Sequence, residues 1–154
     1  MKTSIERLSV AAKDRGLTIA VAESLTSGLL ASEVGKGDSA GDWFAGGVVA
    51  YGMSVKEQVL EVPSGVDPCS AECATALARG VRALLRSDLA VATTGVGGPE
   101  SEDGHAPGTV YLGWATATTS GAEKLQLDGD PEAVVESTVD EALRLLVTLA
   151  EGDG

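Results

Sequence analysis

The chain of 154 residues is short of the side chains that most often carry metal or acid–base chemistry, with one histidine and two cysteines. Cys69 and Cys73 stand four apart with no set of histidines to join them, so neither a disulfide scaffold nor a structural zinc site is supported. No metal is expected, because no cluster of carboxylate, His or Cys ligands at metal spacing occurs. Basic residues are scarce too: 11 Lys+Arg against 23 Asp+Glu give a formal net charge of −12. A broad phosphate-tracking surface is therefore not expected, and nucleic acid is set aside as a partner, whereas a small anionic ligand stays open. Residues 123–154 hold nine acids and two bases (net −7), leaving net −5 in the first 122, so the acidic end serves solubility rather than chemistry. No apolar run approaches the roughly 20 residues that span a bilayer. Lys2, Glu6 and Arg7 interrupt the stretch where a signal peptide needs unbroken apolar sequence, which makes a cytoplasmic protein without membrane contact the expectation.

What is present is 44% hydrophobic and 22% charged, enough to bury one core, and a single domain over residues 1–154 is expected. Thr3-Ser4-Ile5-Glu6 has capping-box spacing, and Ile5, Leu8, Ala11 and Ala12 follow at helical spacing until Gly16. Residues 18–22 form an apolar run without alternation, as in a strand covered on both faces, and helical character returns from Ser24 to Gly35. A strand over 46–51, a short helix over 54–61 and a longer helix opening at Ser70 come next, the last with Ala74, Leu77, Val81 and Leu84 toward the core. Another buried strand spans 88–94. Strands over 108–118 and 122–127, joined through Ser120-Gly121, form a hairpin, and Asp130-Pro131 opens a final helix. Strands alternating with helices, plus one late hairpin, define an α/β fold: a three-layer α/β/α sandwich around a mixed, mainly parallel sheet.

In such a sheet, ligands bind at the carboxyl ends of the strands. Two segments end there, Glu23-Ser24-Leu25-Thr26-Ser27-Gly28 and Thr94-Gly95-Val96-Gly97-Gly98-Pro99. Ser24 suits a nucleophile beside helix-start amides, whereas on spacing alone a helix cap is the favoured reading of Ser24 or Thr26, and Thr26 and Ser27 carry the same ambiguity. Glu23 would orient the site, meet a cationic ring or simply favour a helix start. The glycine segment is an ordinary turn or a place of close backbone approach to a ligand. It is not a dinucleotide fingerprint, since Glu100 stands where G-x-G-x-x-G needs glycine, and no Gly-Lys-Ser/Thr P-loop occurs. His105 lies in a polar loop, so a histidine base is poorly supported. Among five lysines, only Lys56 closely follows a strand end, where it is either a base or a solvated residue on a short amphipathic helix.

Taken together, these residues resemble the nicotinamide-nucleotide amidohydrolases, the C-terminal domain of the CinA proteins. Residues 22–28 resemble that family's Ala-Glu-Ser-Cys-Thr-Gly-Gly, residues 43–51 its Phe-x-x-Gly-x-Val-x-Tyr, and Lys56 stands at the lysine of Tyr-Ser-Asn-x-x-Lys. Ser70 matches the serine of Ala-Val-Ser-Glu, Gly95 to Pro99 match Gly-Ile-Ala-Gly-Pro, and Gly108-Thr109-Val110 match Gly-Thr-Val. The resemblance implies hydrolysis of the carboxamide of nicotinamide mononucleotide to nicotinate mononucleotide and ammonia, by a serine/lysine mechanism without metal or cofactor. It implies Ser24 as nucleophile, Lys56 as base, Tyr51 as an aid to Lys56, and oxyanion-binding amides near Thr26 to Gly28. Glu23, Thr26, Ser27, Gly28, Thr94, Gly95, Gly97 and Gly98 become candidate contacts to a pyridine nucleotide. Departures include Leu25 for cysteine, Ser27 for glycine, Met53 for asparagine, Ala71 for glutamate and Gly97 for alanine. They leave a second reading, a catalytically weak or silent nucleotide-binding module of the same fold. A stand-alone form of the family and a homo-oligomer are expected, and Trp43, Phe44 and Trp114 are candidate interface aromatics.

Overall fold

The computed structural model describes residues 1–152. Helix α1 (Ser4–Arg15) starts on the capping box foreseen from the sequence: the Thr3 hydroxyl accepts from the Glu6 amide while the Glu6 carboxylate accepts from the Thr3 amide. Gly16 ends it in the left-handed conformation that a side chain disfavours. Strand β1 (Ile19–Glu23) is buried along its length, as a central strand requires. Helices α2 (Leu29–Val34) and α3 (Ala40–Trp43) lead to strand β2 (Phe44–Val49), and α4 (Met53–Leu60) and α5 (Ala71–Leu85) lead to β3 (Leu89–Gly95). Strands β4 (Thr109–Ala115) and β5 (Ser120–Gln126) precede α6 (Pro131–Glu151), which Asp130 caps from the Ala133 amide.

The strand order is β2-β1-β3-β4-β5. β1 pairs in parallel with β2 and β3, β3 with β4 antiparallel, and β4 with β5 antiparallel. Four strands thus share a direction and only β4 opposes it. Period-two alternation divides the core. Ile19, Val21, Leu89 and Val91 face α1, α2 and α6, whereas Ala20, Ala22, Ala90 and Ala92 face α5. Small side chains on the second face let α5 come close. A Cβ at Gly113 on β4 would lie 1.9 Å from the Ala74 carbonyl oxygen, so α5 rests on β4 backbone to backbone.

Four sequence expectations are corrected. The segment after β1 stays non-helical until Leu29, because Ser27 (φ 50°) and Gly28 (φ 103°) take left-handed backbone that a right-handed helix does not accommodate. The hairpin turns at 116–119, where the Thr116 hydroxyl accepts from the amides of Thr118 and Thr119; Ser120 and Gly121 belong to β5, with Gly121 under the Trp114 ring. Leu84 is 49% exposed, away from the core. Trp43, Phe44 and Trp114 are not exposed interface aromatics: Trp43 is buried with its Nε1 donating to the Asp38 carbonyl at 2.9 Å, and the other two are half-buried against the same core. Among the described residues no helix is long and apolar enough to cross a membrane.

Candidate active site

β1 ends between its two parallel neighbours. The Ala50 amide donates to the Glu23 carbonyl at 2.8 Å and the Ser24 amide to the Thr93 carbonyl at 3.0 Å, so Ser24 is held by both flanking strands just as the chain leaves the sheet. Alternation then sends residues 23 and 24 to opposite faces. Glu23, 1% exposed, turns toward α2, where its carboxylate accepts from the Thr26 hydroxyl (2.6 Å) and from the amides of Leu30 (2.8 Å) and Ala31 (2.9 Å). Those amides open a helix, where an anion is favoured. Since the Thr26 proton goes to Glu23, the Thr93 hydroxyl donates its own to Thr26 Oγ1 at 2.8 Å. A closed polar network therefore braces the turn that carries Ser24.

Ser24 faces the other way, toward α4. Lys56 lies one helical turn into α4 with 2% exposure, its Nζ 3.2 Å from Ser24 Oγ and 2.9 Å from the Tyr51 carbonyl oxygen, to which it donates. Burial pushes the Lys56 ammonium below its usual range, the thiolate form of neighbouring Cys73 being the lesser, opposing influence. That opposition is idle near neutral pH, because burial raises the Cys73 thiol to about 11 and keeps it protonated. Among the described residues, no carboxylate is ion-paired with Lys56; the five ion pairs lie elsewhere. Tyr51 serves Lys56 through its backbone carbonyl, while the residue itself is 66% exposed on the pocket wall.

Ser24, Tyr51, Lys56, Thr94, Gly95, Gly97 and Gly98 line one pocket of about 690 Å³. Glu23, Thr26, Ser27 and Gly28 do not line it and form the support beneath Ser24. The Thr94 hydroxyl is already committed to the Pro68 carbonyl at 2.6 Å. Gly95 answers to packing: a Cβ would meet the Thr109 carbonyl oxygen at 2.4 Å. Gly97 is different, because a Cβ there meets nothing within 4 Å, so its departure from alanine enlarges open space. Ser27 occupies left-handed backbone that glycine adopts freely, and its hydroxyl donates to the Ser24 carbonyl at 3.3 Å. Met53 packs against the core beneath α4.

His105 belongs to the pocket after all. Its Nε2 lies 2.7 Å from Asp67 Oδ2, tying the 96–108 loop to the segment before α5, and the His105 hydrogen bond holds the Asp67 carboxyl below its usual range. The Glu102 and His105 backbones bond reciprocally at 3.0 and 2.8 Å, closing the loop tip. Asp67, Cys69, Pro131 and Val135 also line the pocket and were missed in the sequence. They come from two separate stretches, the segment before α5 and the start of α6, and no local spacing announces a meeting of that kind. Both cysteines are buried and free, and among the described residues no group of three His, Cys, Asp or Glu is arranged for a metal.

The architecture and the pocket define a three-layer α/β protein with a buried serine–lysine pair at the carboxyl ends of its central strands. Residues 1–150 match the model of the CinA C-terminal domain, and the chain belongs to that family. It is similar to a competence-damage inducible protein of Bacillus subtilis, 42% identical over 113 residues, covering 71% of this chain and 27% of the relative. Another, from Desulforamulus reducens, is 38% identical over 143 residues, covering 90% of this chain and 35% of the relative. The chain thus spans about a quarter to a third of the curated relatives it matches. Among solved structures, a CinA superfamily protein from Klebsiella pneumoniae superposes with a TM-score of 0.91 at 30% identity, covering 96% of this chain and 95% of that one. An Enterobacter cloacae protein of the same superfamily gives 0.89 at 30% identity, covering 97% and 94%.

Proposed function

We propose that this chain hydrolyses a primary carboxamide carried on a pyridine ring, with Ser24 as nucleophile and Lys56 as base. The observation that carries the reading is the 3.2 Å approach of Lys56 Nζ to Ser24 Oγ, with the amine buried and no carboxylate among the described residues paired to it. The neutral amine keeps one N–H on the Tyr51 carbonyl, which aims its lone pair at the Ser24 proton. Ser24 Oγ attacks the amide carbon as its proton passes to Lys56, and the carbonyl π electrons move to oxygen. The amide of Leu25, which lines the pocket beside Ser24 and finds no acceptor among the described residues, supplies a donor for that oxyanion. The oxyanion then reforms the carbonyl, the C–N bond breaks, and the nitrogen takes the proton from Lys56 and leaves as ammonia. Water gives its proton to Lys56 and attacks the acyl ester, which releases the carboxylic acid and returns the proton to Ser24.

Nicotinamide mononucleotide is the substrate the family resemblance implies and the first to be tried. Ammonia release by the purified protein tests the reading, with Ser24→Ala and Lys56→Arg expected to be at least 10³-fold slower, since arginine keeps the charge but cannot give up its proton. Near wild-type turnover in Lys56→Arg would remove Lys56 as the base, and tight binding without turnover in the wild type would favour the binding-module reading. Self-association belongs to the same proposal: β2 is an edge strand, Leu29, Val49, Val55 and Val59 are exposed, and sedimentation velocity at micromolar concentration measures it.

A further inference from the structure

We infer that the pocket selects a cationic carboxamide that carries no phosphate, such as a pyridinium nucleoside, over the corresponding 5′-phosphate. This specificity rests on the hydrolytic reading of Ser24 and Lys56 and concerns the rest of the cavity around them. Among the described residues four carboxylates line it, Asp67, Glu100, Glu102 and Asp103, against two basic side chains, Lys56 and His105. Neither base is free to receive an anion. Lys56 is buried against Ser24 and the Tyr51 carbonyl at the floor, and His105 is already paired with Asp67. Pro131 and Val135, at the start of α6, give the remaining wall an apolar surface without a charged donor.

Geometry makes these charges count. A sphere of 690 Å³ is about 11 Å across, close to the Debye length of about 10 Å at 0.1 M salt, so a ligand at the floor feels carboxylates at the rim. A phosphate monoester carries between one and two negative charges at neutral pH. It would face Glu100, Glu102 and Asp103 with only neutral donors, the Tyr51 and Ser101 hydroxyls and backbone amides, to hold it, whereas a pyridinium ring gains from the same field. Lys124 on β5 lies near enough for the Cys69 thiol to feel it, but it does not line the cavity.

The experiment compares ammonia release from nicotinamide riboside and from nicotinamide mononucleotide, which share ring and amide and differ by the phosphate. The expected result is a kcat/KM at least tenfold higher for the riboside at low salt, with the ratio falling as salt rises. In the triple variant Glu100→Gln, Glu102→Gln, Asp103→Asn the ratio should drop severalfold. Calorimetric binding of both compounds to Ser24→Ala keeps the preference measurable if turnover is absent. Equal or better use, or tighter binding, of the phosphate form overturns the proposal while leaving amide hydrolysis standing, and would assign the phosphate to backbone amides of the 95–98 turn. Selective riboside binding without ammonia release supports the charge preference and overturns the hydrolytic reading alone. Binding of neither compound overturns both.

Discussion

A lysine amine with 2% exposure is a costly thing to fold around, and that cost has a pH signature. Because burial lowers the Lys56 pKa in the folded chain while the unfolded chain keeps the ordinary 10.5, the unfolded state binds more protons throughout the interval between the two values. Stability from this residue is therefore complete above 10.5 and is lost as pH falls through the folded value. Lys56→Met keeps an unbranched apolar stem and removes the charge. It should raise Tm at pH 7 by about 2–4 °C, the shift that corresponds to ~1 kcal/mol in a chain of this size. Calorimetry at pH 7, 8.5 and 10 should show the gap closing as pH rises. A constant or widening gap would mean that burial does not lower the Lys56 pKa in the folded chain. The same variant should release no ammonia, so stability and activity part at a single side chain. Spacing singled Lys56 out of five lysines as the one close behind a strand end but left it either a base or a solvated residue; what decides is a tertiary fact, the placing of α4 over the end of β1.

At the level of elements, Glu23 shows what spacing conveys and what it leaves out. Its position before Ser24 marks the end of a strand, but whether it meets a ligand or a helix depends on where α2 begins, and α2 begins later than the hydroxyl-rich run suggests because Ser27 and Gly28 bend the chain left-handed first. The side chain then reaches over that turn to the Leu30 and Ala31 amides. Glu23→Ala would leave two amides and the Thr26 hydroxyl without their acceptor in a buried place, at about 3 kcal/mol, while Glu23→Gln, which keeps one acceptor oxygen, should cost about half as much. Urea unfolding should show the midpoint falling with an unchanged m-value. Activity should fall with stability, because the Ser24 turn hangs on the same network. A Glu23→Ala variant as stable as wild type would move the support of that turn elsewhere. The helices with strong caps, α1 and α6, were legible from sequence because their start signals are local. The pocket was legible only where its residues stand at strand ends; Asp67, Pro131 and Val135 reach it through chain reversals that no periodicity encodes.

For the molecule as a whole, the governing quantity is the net charge of −12, borne by 23 acids and 11 Lys+Arg. Among the described residues only five ion pairs form, Arg7–Glu151, Lys13–Asp38, Lys36–Glu33, Arg144–Glu141 and His105–Asp67, each with exposed or partly exposed partners. Surface pairs of that kind contribute ~0–1 kcal/mol apiece, and most carboxylates have no cation to answer them. Repulsion among them acts through solvent over a distance set by ionic strength, about 30 Å at 0.01 M and about 3 Å at 1 M. At low salt it spans the molecule and works against the compact state; at high salt it is confined to near neighbours. Sodium chloride should therefore stabilise the fold, raising Tm by a few degrees, ~3–6 °C, between 0.01 and 0.5 M at pH 7.5. The rise should be steepest below about 0.1 M, where screening first cuts the long-range terms. A continuing linear gain into molar salt would point to strengthened apolar burial rather than screened charge. A fall in Tm would show that the five pairs outweigh the unpaired carboxylates, and that the charge of the whole chain holds the fold together instead of straining it.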